Sequence, residues 1–115
     1  MRDTFAWDVT DKPNGSISAG DIIIDLSNKR VRRGGRVIRL TPGEFLLLEH
    51  LVRNKNKVLS REEIAYGVWG RSYSDKVERV PVFMSSLRRK LERDICRKYI
   101  YTVVRKGYLF NERSL

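Results

Sequence analysis

The stretch Val80-Pro81-Val82-Phe83-Met84-Ser85-Ser86-Leu87-Arg88-Arg89-Lys90-Leu91 carries two opposite faces on one helical period. Val80, Met84, Leu87 and Leu91 recur at three- and four-residue spacing, which predicts a helix with one buried stripe. Pro81 is compatible with that helix only in its first turn, where no backbone donor is required. At about 100° per residue the opposite face holds Val82, Ser85, Ser86, Arg89 and Arg93, with Arg88 and Lys90 at its flanks. Such residues suit a nucleic-acid groove. Arginine forms bidentate hydrogen bonds to guanine, serine bonds to bases or phosphates, and an exposed valine can meet a thymine methyl. A solvated basic helix face has the same composition, so the neighbouring elements have to decide.

Two shorter helices are predicted before it. Thr41-Pro42-Gly43-Glu44 reads as a helix start, with Thr41 as N-cap, Pro42 at the first position and Glu44 closing a capping box. The helix should run to about Arg53, burying Phe45, Leu48, Leu51 and Val52, with Leu46 and Leu47 widening the stripe. Ser60 and Glu63 form a second capping box, and Leu59 can pack on Ile64 as a hydrophobic staple. That helix should span Arg61 to Trp69, with Ile64, Val68 and Trp69 inward, and Gly70 to Lys76 should form a loop. After the third helix, Ile100 to Val104 and Tyr108 to Phe110 flank the turn candidate Arg105-Lys106-Gly107 and predict a closing hairpin.

Upstream, Ile22, Ile24 and Leu26 alternate with Ile23 and Asp25, predicting a strand with Asp25 on the outer face. Arg30 to Arg33, Gly34-Gly35 and Arg36 to Leu40 read as a hairpin, so an antiparallel sheet precedes the helices. Arg30, Arg32, Arg33, Arg36 and Arg39 flank that hairpin, and a charged sheet edge explains them as well as phosphate contact does. Residues 1–19 show no sustained period and read as a tail or interdomain linker, leaving 20–112 as the folded domain. The fold expected is α+β: N-terminal antiparallel sheet, three-helix body and C-terminal β-hairpin, the logic of a winged helix-turn-helix.

Charge points the same way. The 24 Lys and Arg outnumber 14 Asp and Glu, a formal net charge of +10. Residues 1–25 hold two basic and five acidic side chains, a net −3, which leaves the rest with 22 against nine, a net +13. A surface so positive calls for a polyanion, and nucleic acid is the commonest one inside cells. Cys96 is the one cysteine and His50 the one histidine, which excludes an internal disulfide and a Cys/His zinc site and predicts a reducing, cytoplasmic setting without metal or other cofactor. No apolar run approaches the roughly 18 residues of a membrane span, and Met1 to Val9 lack the core of a secretory signal. Catalysis would have to rest on His50 beside Glu49, or on Glu62-Glu63, whose side chains diverge by about 100° on a helix, so no enzyme is expected.

The chain resembles the C-terminal winged helix-turn-helix effector domains of OmpR/PhoB-type response regulators over roughly Gly20 to Phe110. The resemblance rests on Leu40-Thr41-Pro42-Gly43-Glu44-Phe45-Leu46-Leu47-Leu48, Val58-Leu59-Ser60-Arg61-Glu62-Glu63, Val68-Trp69-Gly70, Ser85-Ser86-Leu87-Arg88-Arg89-Lys90-Leu91, Thr102-Val103 and Gly107-Tyr108-Leu109-Phe110, in that order. It implies a four-stranded N-terminal sheet, a third helix in the major groove and a wing near the minor groove. It also implies tandem binding to direct-repeat half-sites of double-stranded DNA by a domain that is monomeric alone.

By the same resemblance Val82, Ser86, Arg88 and Arg89 match DNA-contacting positions of the third helix, and Thr102 a phosphate contact of the wing. Arg79, Ser85 and Arg93 complete the recognition-helix set. Val104 stands where the family's minor-groove arginine would be, which leaves Arg105 or Lys106 to make that contact. Phe83 stands where histidine is frequent. The loop Arg71-Ser72-Tyr73-Ser74-Asp75-Lys76 corresponds to the family's RNA polymerase contact. The family's phosphorylated receiver domain is absent from these residues, so an excised effector domain is favoured over a stand-alone regulator. Two rivals remain: a sequence-independent nucleic-acid binder using the same cations, and a winged-helix protein-interaction module using Phe83 and Tyr73.

Overall fold

The computed structural model describes residues 15–92 and 98–112. Strands β1 (Ser16–Ala19), β2 (Ile22–Asp25), β3 (Arg30–Arg33) and β4 (Arg36–Ile38) form an antiparallel sheet in chain order. Then come α1 (Pro42–Arg53), β5 (Val58–Leu59), α2 (Arg61–Trp69), two 3-10 turns at Gly70–Asp75 and Val77–Arg79, and α3 (Val80–Glu92). A hairpin of β6 (Ile100–Val103) and β7 (Gly107–Phe110) closes the chain, with β7 between β6 and β5. This is the α+β architecture expected, the hairpin standing as a wing beside the helices. Among the described residues no helix is long and apolar enough to cross a membrane.

The helix starts follow their sequence signals. Thr41 Oγ1 accepts from Glu44 N at 3.3 Å while Glu44 Oε1 accepts from Thr41 N at 2.9 Å. Ser60 and Glu63 reciprocate in the same way at 3.0 and 2.8 Å. Val80, Met84, Leu87 and Leu91 are fully buried in the core, and each stabilises the fold by about 1.5–3 kcal/mol. Pro81 occupies the first turn of α3, as its missing N–H requires.

The structure departs from the sequence reading at several points, among them the 3-10 turn Gly70–Asp75 where a loop was expected. Ser16–Ala19, read as the end of the tail, pair with β2, and Ile17 packs on the core. A strand with two apolar residues shows little pattern, and it is recruited by its neighbour's backbone. The 14 residues before Gly15 lie outside the described residues. Asp25 is buried rather than outward, because its carboxylate accepts from Ser27 N, Asn28 N and Asn28 Nδ2 and closes the β2–β3 turn. Leu46, expected to widen the buried stripe of α1, is 41% exposed. Val58–Leu59, read only as the approach to α2, form a strand that makes the wing three-stranded.

The two sheets grip the carboxyl end of α3. Buried Arg33 donates Nη1 to Leu91 O at 2.9 Å, pairs with Asp21 at 3.3 Å and lies over the Tyr99 ring. It satisfies one of the carbonyls that a helix end leaves open. Glu92 Oε2 accepts from Tyr99 N and Ile100 N at 2.7 and 2.9 Å, which starts β6 at a set distance from the helix. Tyr99 in turn stacks on Phe110 and donates to Asp21 at 2.6 Å.

Candidate nucleic-acid interface

Because its buried stripe faces the core, α3 turns Val82, Ser85 and Arg89 to solvent, with Val82 68% exposed. The other expected contacts of this helix fare differently. Ser86 is half-buried and its hydroxyl donates to Glu44 Oε2. Arg88 is half-buried too, with Nη1 donating to Thr102 Oγ1 at 3.2 Å and Ile100 O at 3.5 Å and the guanidinium against the Tyr108 ring. The structure therefore joins Arg88 to Thr102, two residues assigned separately to DNA. Lys90 meets Glu44 Oε1 at 2.7 Å and belongs to the α1–α3 contact. Arg79 is exposed in the 3-10 turn before α3 rather than on the helix itself. Arg93 and Cys96 lie outside the described residues.

Between the amino end of α2 and the wing lies an open cleft of about 450 Å³. Ser60, Arg61 and Glu62 at the amino end of α2, Pro81 at the start of α3, and Thr102, Arg105, Lys106 and Tyr108 of the wing line it. A helix amino end presents free N–H groups and partial positive charge, so with Arg61, Arg105 and Lys106 the cleft suits an anion. Arg105 holds the left-handed conformation at φ 65°, which sets the wing turn and leaves Arg105 and Lys106 exposed at its tip beside Val104. Sequence reasoning missed Arg61. Its position directly after the Ser60 cap is the signal that could have found it.

The segment Arg71 to Lys76 is a 3-10 turn and its cap, with Arg71, Ser72, Ser74 and Asp75 exposed. Tyr73 is half-buried on the core and meets Tyr66 edge-to-face at 5.5 Å. Phe83 also points inward: its ring packs edge-to-face on Trp69 at 5.3 Å, and a Cβ on Gly43 would come within 2.5 Å of it. The two aromatics put forward for a protein-binding surface are thus largely committed to internal packing.

Among the described residues, Glu44 and His50 are the groups whose acidity the fold moves clearly. Burial raises the Glu44 pKa, but hydrogen bonds from Lys90, Ser86 and the Thr41 N–H, with the Lys90 charge, outweigh it and hold the carboxyl below its ordinary 4.5. Burial lowers His50 below 6.5 against the opposing charges of Glu49 and Glu63. His50 packs against α2, where a Cβ on Gly67 would approach its Cε1 within 2.1 Å.

This arrangement has known counterparts. The protein family described as "Transcriptional regulatory protein, C terminal" matches residues 35–110. The chain belongs to this family. The transcriptional regulatory protein KdpE of Mycobacterium tuberculosis is 37% identical over 95 residues, 82% of this chain and 42% of that protein. The KDP operon transcriptional regulatory protein KdpE of Escherichia coli is 33% identical over 102 residues, 88% of this chain and 45% of its own length. The chain thus spans less than half of the curated relatives it matches. Among solved structures, the RstA DNA-binding domain of Klebsiella pneumoniae, in complex with RstA box, superposes with a TM-score of 0.72 at 33% identity, covering 84% of this chain and 97% of that one. The winged-helix fold shared by the family is the one described above.

Proposed function

We propose that this chain is the effector part of a response regulator and binds double-stranded DNA sequence-specifically to regulate transcription. One observation carries the reading: among the described residues the outward stripe Val82, Ser85 and Arg89 of α3 has no internal partner beyond a 3.5 Å contact from Arg89 to Ser86, and Pro81, next to Val82, belongs to a cleft lined by Arg61, Arg105 and Lys106. In this reading α3 enters the major groove, Arg89 reads a base edge, and Val82 and Ser85 meet bases beside it. Arg61, Arg105 and Lys106 hold phosphates, the wing lying near the minor groove. Arg88 and Thr102 act mainly by joining α3 to the wing, and Ser86 by joining α3 to α1. The RstA DNA-binding domain, a structural relative, is described in complex with RstA box, which supports the assignment.

The parent protein would carry a receiver domain and act in the cytoplasm as part of a two-component phosphorelay. The domain alone is a monomer that pairs in tandem on DNA, and the segment Arg71 to Lys76 is offered to RNA polymerase through its exposed residues. Selection of bound sequences from a random duplex pool at about 150 mM salt tests the central claim. Enrichment of a repeated half-site about one helical turn apart is expected. Binding that vanishes with salt and enriches no sequence would instead make this a sequence-independent binder.

A further inference from the structure

A second basic groove opens between β4 and the later part of α3. Arg36, Val37 and Ile38 of β4, the adjoining Arg39, and Arg89 and Lys90 of α3 line a space of about 470 Å³ with no carboxylate among them. Arg36 and Arg39 are exposed and have no ion-pair or hydrogen-bond partner among the described residues. Lys90 is matched by Glu44, which leaves Arg36, Arg39 and Arg89 lining the groove with no carboxylate among the lining residues. The remaining arginines of the hairpin are engaged elsewhere or lie outside the groove: Arg33 is buried under Tyr99, and Arg32 donates to Gly35 O at 2.8 Å. Charged residues on an outer strand such as β4 also discourage edge-to-edge pairing. That role does not require a second element to bring its own cation to the same space, which like-charge repulsion opposes unless an anion is bound.

We propose that this groove is a phosphate site that extends the DNA interface onto the N-terminal sheet. Arg89 is the reason for choosing duplex DNA over an acidic protein: it belongs both to the groove and to the exposed stripe of α3, so a backbone lying along that stripe continues between Arg89 and the Arg36–Arg39 edge. The proposal rests on the DNA-binding reading above. It adds contacts that read no sequence and lengthen the footprint beyond helix and wing.

The experiment is the salt dependence of binding, followed by fluorescence anisotropy, for the unaltered chain and for Arg36→Ala/Arg39→Ala. The probe is the duplex enriched in the selection or, if none is enriched, a mixed-sequence duplex of about 30 base pairs, long enough for two half-sites and a flank. Each lost phosphate contact lowers the slope of log K against log salt by about 0.9, so the double variant should lose roughly two units. Arg36→Lys/Arg39→Lys should retain the slope. Arg30→Ala/Lys57→Ala, which removes equal charge outside both clefts, should barely change it. A slope unchanged in the first variant, or lowered equally by the Arg30/Lys57 pair, overturns the groove and leaves the DNA-binding reading standing. Failure of the unaltered chain to bind either duplex overturns both. The substituted side chains are exposed, and an unchanged melting temperature confirms that each variant folds.

Discussion

Glu44 shows how much one residue can join. Its Oε1 closes the capping box on Thr41 and meets Lys90 at 2.7 Å, while Oε2 accepts the Ser86 hydroxyl. The cap was legible in Thr41-Pro42-Gly43-Glu44, because it involves residues three apart. The bond to Lys90 was not, because 46 residues separate the partners. Since the folded pKa lies below the ordinary 4.5, the stabilisation is fully present above that pH and is lost as pH falls through the folded value. Glu44→Gln keeps a cap acceptor but removes the charge, so it should cost about 1–3 kcal/mol near neutral pH and less in acid. Urea midpoints at pH 7 and pH 3 check this, and an unchanged difference between them would clear Glu44. His50, whose pKa is lowered by burial, likewise favours the fold above 6.5 and weakens it below, and this component should persist in the Glu44 variant.

At the scale of elements, the wing is held by contacts that sequence pattern does not display. The hairpin itself was legible from β-branched and aromatic residues around Arg105-Lys106-Gly107. Its third strand was not, since Val58–Leu59 is too short to show a period. Gly107 makes that strand possible: at φ 138° a Cβ there would come within 1.9 Å of Leu59 O, on the backbone of β5. Gly107→Ala should therefore part β5 from β7 and destabilise the protein by about 1–3 kcal/mol. Faster amide hydrogen exchange at Leu59 and Leu109, beyond any global loss of stability, would locate the damage at this pair. Exchange raised uniformly would assign the cost to the turn alone.

At the scale of the molecule, two kinds of DNA contact should separate in one set of titrations. Arg89→Ala is expected to weaken binding to the selected duplex by about 1–3 kcal/mol and to flatten preference at one position. Arg105→Ala/Lys106→Ala should lower the salt slope by roughly two and leave the preference nearly unchanged. Anisotropy titrations against the selected duplex and single-position variants, over a range of salt, read both. Equal losses for Arg89→Ala on selected and random duplexes would move that residue to the phosphate class. A slope unmoved by the wing variant would place the wing away from DNA.

Local patterns determined the three helices in order, both capping boxes and the buried stripe of α3, because each depends on residues within a few turns of one another, and composition alone fixed the basic surplus. They also placed Val82, Ser85 and Arg89 on one face, since helical geometry converts spacing directly into direction. Only the tertiary structure decided which cations are free. Arg33 and Arg36 look equivalent along the chain, yet the first is buried at the end of α3 and the second stands open in a groove. Arg88 and Arg89 are neighbours, yet one is held by the wing and the other faces solvent. A side chain's engagement depends on what the fold brings opposite it, and those partners come from strands and helices far away in sequence.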